Sequence, residues 1–207
     1  KLGKRNLYTI EHLLSSLAGC GMSYIHIQVE GKEIPLLDGS AIEWVRAFEE
    51  VGIKRVPKPS NFMREISEPK IFNKDKSVIA ITPSNKLTII STIDFSYKAI
   101  GKQTFVIDLN PKCYVDLIAP ARTFGFKDQF QQLGELGLIK GGSLENALVC
   151  DGDNWVNPPL RFANEPIRHK ILDLIGDLAL VGLPKAQIIV YKGSHSLNAL
   201  LASSLKI

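Results

Sequence analysis

Three side chains that can bind metal or move protons recur at four-residue intervals: His169, Asp173 and Asp177. Four residues advance an α-helix by about 400°, so these side chains would form one stripe with steps of about 6 Å along the axis. Histidine and aspartate are poor helix formers but good metal ligands, and a His–Asp pair at this spacing can reach one ion. The same pattern also fits an exposed helix face with a local His–Asp hydrogen bond, so both interpretations stay open here.

The segment around these residues has the signals of a helix. Pro166 suits a first helical position, Glu165 places negative charge at the positive end of the helix dipole, and Gly182 follows the last periodic residue. The apolar residues that recur at helical spacing, and would bury one side, are Leu172, Ile175, Leu178 and Ala179.

The composition excludes several classes of protein. The 207 residues are 45% hydrophobic and 22% charged, which is typical of a globular protein with one large or two small domains. The net charge is +4 with basic residues spread along the chain, so no nucleic-acid surface is expected. No apolar run reaches the ~18 residues of a transmembrane segment. The three cysteines are widely spaced, which argues against a disulfide framework or a Cys-x-x-Cys zinc site: Cys20, Cys113 and Cys150.

The N-terminal quarter is predicted to contain two helices and a strand. Thr9 would cap a helix over 10–18. Alternating apolar residues over 24–30 predict a half-buried strand. Ser40 begins a capping-box pattern, which predicts a helix over 41–51.

A proline-rich segment at 56–60 predicts a boundary between an N-terminal domain, 1–57, and a C-terminal domain, 58–207. Beyond it, strands are predicted over 64–72, 77–82, 86–95, 103–109, 145–150 and 186–191, and helices over 111–118, 127–136 and 195–205. The second and third of these strands are expected to form a hairpin. The prediction is an α+β fold with two layered α/β domains facing one another, and polar residues meeting between them.

Six motifs carry a resemblance to a known family: 9–19 (TIEHLLSSLAG), 34–41 (IPLLDGSA), 121–126 (ARTFGF), 140–143 (KGGS), 168–177 (RHKILDLIGD) and 191–198 (YKGSHSLN). In this order and spacing they resemble the UDP-3-O-acyl-N-acetylglucosamine deacetylases, the zinc amidases of lipid A biosynthesis. The resemblance implies a zinc cleft between the two layers. It also implies hydrolysis of the N-acetyl group of the substrate UDP-3-O-acyl-N-acetylglucosamine, giving UDP-3-O-acyl-glucosamine and acetate.

The resemblance assigns zinc to His12, His169 and Asp173. Three protein ligands leave a fourth position for water, as catalytic zinc requires. Glu11 matches the family's general base, which takes a proton from that water. Taken singly, Glu11 is also a first-turn acid that stabilises a helix start, and His12 is also an ordinary helix histidine.

Four further positions match the family's motifs. His195 corresponds to a histidine that, when protonated, faces the oxyanion or the leaving amine, and Asp177 to the carboxylate that orients it. Thr123 corresponds to a hydroxyl that donates to the tetrahedral intermediate. The residues expected to contact substrate are Lys170, Phe124 and Phe126.

The resemblance also sets expectations for the chain as a whole. An insertion at about 125–149 would line a hydrophobic passage for the substrate's acyl chain. Family members carry a further segment before the first Glu-His motif, so the chain is expected to be N-terminally incomplete. It is expected to be a monomer in a Gram-negative-type cytoplasm, with a plant organelle as the alternative. Two other functions stay open, a truncated non-catalytic paralogue and a zinc amidase for another acylated sugar or peptide.

Overall fold

The computed structural model describes residues 6–22, 24–54, 63–128 and 143–205. The helices are α1 (Glu11–Gly19), α2 (Ile42–Val51), α3 (Pro111–Leu117), α4 (Glu165–Ala179) and α5 (His195–Ser204). The strands are β1 (Met63–Glu65), β2 (Lys70–Lys74), β3 (Ser77–Pro83), β4 (Thr88–Asp94), β5 (Lys102–Asp108), β6 (Phe124–Phe126), β7 (Leu148–Asp151), β8 (Asn154–Trp155) and β9 (Leu183–Tyr191). The α+β prediction is confirmed.

The main sheet is mixed and centres on β9. Its strand order is β2-β3-β9-β4-β5, and β1 also pairs with β9. β9 runs antiparallel to β3 and parallel to β4 and β1. The predicted hairpin of 77–82 with 86–95 is therefore wrong, because β9 lies between these two strands. The β9 residues Ile188 and Val190 are buried. At the edge of the sheet this apolar strand would be exposed to solvent, which favours a central position.

Helix α4 packs on the sheet through the apolar side that the sequence predicts. Leu172, Ile175 and Leu178 are fully buried in the main core. The opposite side of the helix is buried as well, because α1 packs along it. The interpretation of His169 and Asp173 as part of an exposed helix face is therefore wrong.

The predicted strand over 24–30 is absent. These residues have no strand assignment, and Tyr24, Ile25 and Ile27 are exposed. A strand needs a backbone partner, and within the described residues no strand pairs with this segment. The alternating pattern indicated which side chains could share a face, but it did not supply the partner.

Both predicted N-terminal caps are also wrong. Ile10, and not Thr9, precedes α1, and Thr9 has a positive φ of 56° with its hydroxyl bonded to Glu33. At α2, the Ser40 hydroxyl accepts a hydrogen bond from Ile42 N instead of the amide three residues on. Each hydroxyl also donates to a carboxylate, Thr9 to Glu33 and Ser40 to Asp38, and these hydrogen bonds compete with the predicted caps.

A smaller sheet, in the order β6-β7-β8, lies beside the main one. β6 runs parallel to β7, and β7 pairs antiparallel with β8. Most of the predicted helix over 127–136, most of the KGGS motif and most of the predicted passage insertion fall outside the described residues. So does the proposed boundary at 56–60, and the two-domain division therefore stays a prediction.

The backbones of α1 and α4 approach each other closely at Gly176. A Cβ atom added there would lie 2.1 Å from the Glu11 carbonyl oxygen and 3.0 Å from its Cα. No side chain can enter that space unless one helix moves. Glycine at this position lets the start of α1, with Glu11 and His12, lie against the middle of α4.

We expect Gly176→Ala to lower the free energy of unfolding by about 2–3 kcal/mol, because the new methyl group overlaps helix backbone. Chemical denaturation measures the change. Ser203→Ala, on the exposed side of α5, is the matched helix control and should leave stability unchanged or slightly higher. A Gly176→Ala protein as stable as the unaltered chain would contradict the close approach.

Candidate active site

Three buried side chains from two helices converge at the contact between α1 and α4. His12 is 3% exposed, His169 3% and Asp173 4%. One nitrogen from each histidine and one oxygen of Asp173 all lie within 4.8 Å of one another. The structure thus brings together the three residues that the resemblance assigns to zinc, although His12 is far from the other two in sequence.

A backbone carbonyl fixes the orientation of His169. Its Nδ1 lies 3.0 Å from the Ala121 oxygen, which can only accept, so Nδ1 carries the proton. The other ring nitrogen, Nε2, lies 3.2 Å from Asp173 Oδ1 and is the atom left to face a metal ion. This is the arrangement that orients a metal-binding histidine.

Asp173 divides its two oxygens between different partners. Oδ2 accepts a hydrogen bond from Lys170 Nζ at 2.7 Å, whereas Oδ1 faces the two imidazoles. Burial raises the pKa of Asp173, but Lys170 and His169 lower it more, so the net pKa is well below the ordinary value. The carboxylate is therefore ionised, as metal binding requires.

His12 is held in its neutral form. Burial, together with His169, lowers its pKa to about 4, and the opposing effect of Asp173 is smaller. Nε2 lies 3.9 Å from Asp173 Oδ1. Its Nδ1 is buried and makes no hydrogen bond to the protein. A neutral imidazole is the form that binds a metal ion.

A third histidine lies at the exposed side of this group. His195 Nδ1 lies 2.8 Å from Asp177 Oδ2, and its Nε2 points back to within 3.8 Å of Asp173 Oδ2. The hydrogen bond to Asp177 raises the pKa of His195, and partial burial only partly offsets it. Asn198 also donates to Asp177 Oδ2, at 2.9 Å. His195 therefore favours its charged form, with Nε2 facing the ligand group.

Glu11 directly precedes the candidate ligand His12, and Thr123 directly precedes β6. Glu11 is the first residue of α1. Burial acts against the charge of Lys170, but Asp173, and to a smaller extent Glu11, raise the pKa of this ammonium above its ordinary value. The backbone of Thr123 is fixed by hydrogen bonds to Gly39 O at 2.7 Å and from Leu148 N at 2.8 Å. Both side chains are half-buried.

The two phenylalanines of the ARTFGF motif have different surroundings. The Phe124 ring meets His169 edge-on at 6.4 Å between centroids. Phe126 is buried and stacks on Tyr97 at 4.3 Å within a separate apolar cluster. Phe124 thus borders the candidate site, and the predicted substrate contact of Phe126 stays a prediction.

The sequence did not predict two ion pairs near the site, of which one contains a buried carboxylate. Glu165 is fully buried and pairs with Arg122, while Arg161 pairs with Asp38. The sequence predicted for Glu165 only that its negative charge stabilises the N-terminus of the helix. Asp38, Arg122 and Asn198 each belong to one of the six family motifs, and this membership was the one sign of their importance in the sequence. Their hydrogen-bond and ion-pair partners are too distant in the chain to be identified from residue spacing.

Residues 1–206 match the sequence profile of the family described as LpxC, UDP-3-O-acyl N-acetylglycosamine deacetylase. The chain belongs to this family. A relative from Nostoc sp. named UDP-3-O-acyl-N-acetylglucosamine deacetylase is 47% identical over 208 residues, covering 98% of this chain and 74% of its own length.

Two further relatives have similar sequences over most of the chain. A protein of the same name from Synechocystis sp. is 45% identical over 199 residues, covering 95% of this chain and 72% of its own length. One from Arabidopsis thaliana, named probable UDP-3-O-acyl-N-acetylglucosamine deacetylase 1, mitochondrial, is 40% identical over 218 residues. That match covers 95% of this chain and 67% of the relative. Among the helices of the described residues, none has the length and apolar character needed to cross a bilayer.

We expect Asp177→Asn to lower the pKa of His195 toward or below its ordinary 6.5, because the neutral amide no longer stabilises the imidazolium. An NMR titration of the histidine ring measures this. Asp116→Asn, which removes an exposed carboxylate paired with Lys112 on α3, is the control and should leave His195 unchanged. An unaltered His195 pKa in Asp177→Asn would contradict the assigned pairing.

Proposed function

We propose that this chain hydrolyses the N-acetyl group of UDP-3-O-acyl-N-acetylglucosamine, giving UDP-3-O-acyl-glucosamine and acetate in lipid A biosynthesis. Family membership and the names of the relatives support the reaction. The observation that carries the proposal for this chain is the buried group of His12, His169 and Asp173. An inactive paralogue would have no reason to retain three converging ligands that are costly to bury.

We infer that the metal is Zn²⁺. Two neutral imidazoles and one carboxylate are a donor set that zinc uses in catalytic sites, where a fourth position stays open. The donor atoms are close enough to share one ion, and each of His169 and Asp173 uses its other polar atom for a protein partner. When bound, zinc supplies Lewis acidity that polarises a carbonyl and acidifies water.

Glu11 is the proposed general base. It lies directly before His12 on α1, at the border of the ligand group and near the Lys170 ammonium. Its carboxylate would take a proton from the water that attacks the acetyl carbonyl carbon. The attack forms a carbon–oxygen bond and moves the carbonyl electron pair onto oxygen.

His195 is the proposed general acid. Its Nδ1 is engaged by Asp177, which leaves the Nε2 proton free on the side that faces the ligand group. The proton would pass to the sugar nitrogen as the carbon–nitrogen bond breaks, so that acetate and a free amine leave. Asn198 would support this step by holding the Asp177 carboxylate.

The remaining polar residues have proposed roles in binding. Thr123, with its backbone fixed on both sides, would donate to the developing oxyanion. Lys170 would hold Asp173 and contribute positive charge near substrate. Phe124 and Phe126 would contribute apolar surface, and the segment 125–149 is the proposed passage for the acyl chain.

The organisation and setting of the chain are also proposals. The proline-rich segment supports a division into 1–57 and 58–207. We infer a monomer that works where the nucleotide sugar is made, in the cytoplasm of a Gram-negative-type bacterium. A plant organelle is the alternative, because the Arabidopsis relative is named mitochondrial.

Metal content tests the ligand assignment. After removal of loosely held metal, we expect about one Zn²⁺ per folded chain, because a three-ligand site binds one ion. Asp173→Ala should lose it, since the variant keeps only two ligands, whereas Asp108→Ala, at an exposed carboxylate away from the site, should retain it. A folded Asp173→Ala protein that retains its zinc would contradict the assignment.

Activity tests the general base. Glu11→Gln should retain zinc but lose about 10²–10⁴-fold in kcat for acetate release, because the amide cannot accept the proton. The assay uses UDP-3-O-acyl-N-acetylglucosamine, beside an N-acetylated sugar without the nucleotide or acyl chain. Release of acetate from the second compound alone would favour the rival amidase, and an unchanged kcat would exclude Glu11 as the base.

A further inference from the structure

One peptide group connects the buried Glu165 to the candidate metal site. The carbonyl of the Ala121–Arg122 peptide faces His169 Nδ1 at 3.0 Å. The N–H of the same peptide donates to Glu165 Oε1 at 2.9 Å. The plane of this peptide is therefore held at both ends by two residues of the same helix, Glu165 and His169.

Both oxygens of the Glu165 carboxylate accept hydrogen bonds from the surrounding protein. It is 0% exposed. Oε1 accepts from the N–H and Nε of Arg122, and Oε2 accepts from Arg122 Nη2 at 3.2 Å and Arg161 N at 2.6 Å. Four donors, two of them nitrogens of the Arg122 guanidinium, offset the cost of burying the charge.

The helix geometry explains why one peptide can touch both residues. Glu165 and His169 are four residues apart on α4, so their side chains lie on one face about one turn apart. The segment that contains Ala121 and Arg122 crosses this face. The next residue, Thr123, is the proposed oxyanion donor, so the same anchoring also limits its position.

We propose that Glu165 is a positioning residue for the metal site, acting on His169 through the Ala121–Arg122 peptide. The inference rests on the proposed zinc-dependent function. A carboxylate that accepts the peptide N–H polarises the amide and makes its carbonyl oxygen a stronger acceptor. That oxygen fixes the proton on His169 Nδ1, which keeps Nε2 unprotonated, oriented and more basic toward a metal ion.

This role differs from that of a simple buried ion pair. An ion pair that only stabilises the fold would, when altered, lower the stability but leave the folded protein's affinity for zinc unchanged. A residue that orients a ligand should lower that affinity even in molecules that remain folded. The two cases are therefore separated by a binding measurement on folded protein.

The test is the zinc affinity of Glu165→Gln, measured by competition with a chromogenic chelator after circular dichroism confirms folding. We expect affinity about 10-fold weaker or more, because altering the partner of a metal-binding histidine has this effect. Glu165→Asp retains the charge on a shorter side chain, remains available if the glutamine variant does not fold, and should show a smaller loss.

Arg168→Met is the matched control. Arg168 lies one residue before His169 on α4, between the rings of Phe105 and Phe162, and donates to Leu117 O. None of these contacts involves the Ala121–Arg122 peptide. The variant should lose stability and retain its zinc affinity.

A measurement on the unaltered, zinc-loaded protein completes the test. We expect NMR to place the His169 ring proton on Nδ1 with slow exchange, and Glu165→Gln to exchange it faster. Unchanged zinc affinity in folded Glu165→Gln, an equal loss in Arg168→Met, or a His169 proton on Nε2 would overturn the inference. Absence of zinc binding by the unaltered protein would instead refute the proposed metal site itself.

Discussion

The close packing of α1 on α4 is the constraint on which the site depends. Glycine at position 176 lets the Glu11 backbone lie where any side chain would collide with it. This contact brings one histidine and the proposed base from α1 to a helix that already carries the other two ligands. A side chain at position 176 would push the two helices apart and with them His12 from the other two ligands.

The charges of the site form a consistent arrangement. Asp173 is ionised because Lys170 and His169 outweigh the cost of its burial, and His12 is neutral because it is buried. His195, more exposed and paired with Asp177, favours the charged form. One histidine held neutral for metal binding, His12, and one suited to donating a proton, His195, thus arise from differences in burial and partners.

Local patterns predicted the elements better than their assembly. The sequence predicted the core-facing side of α4 through Leu172, Ile175 and Leu178, because helical periodicity is a local property. It failed for the segment 24–30 and for the place of β9, because strand pairing depends on partners distant in the chain. The resemblance carried by six ordered motifs predicted His12 as a metal ligand. The burial of Glu165 was not predicted, because a glutamate in the first turn of a helix has the same sequence pattern whether it is buried or exposed.

The most direct test of the account is X-ray absorption at the zinc edge of the protein loaded with one equivalent of Zn²⁺. Binding by His12, His169 and Asp173 predicts a four-coordinate site with nitrogen and oxygen ligands only, and with imidazole scattering from two histidines at about 2.0–2.1 Å. Sulfur at about 2.3 Å would mean that a cysteine binds the metal. That result, or a spectrum without imidazole scattering, would contradict a site built from His12, His169 and Asp173.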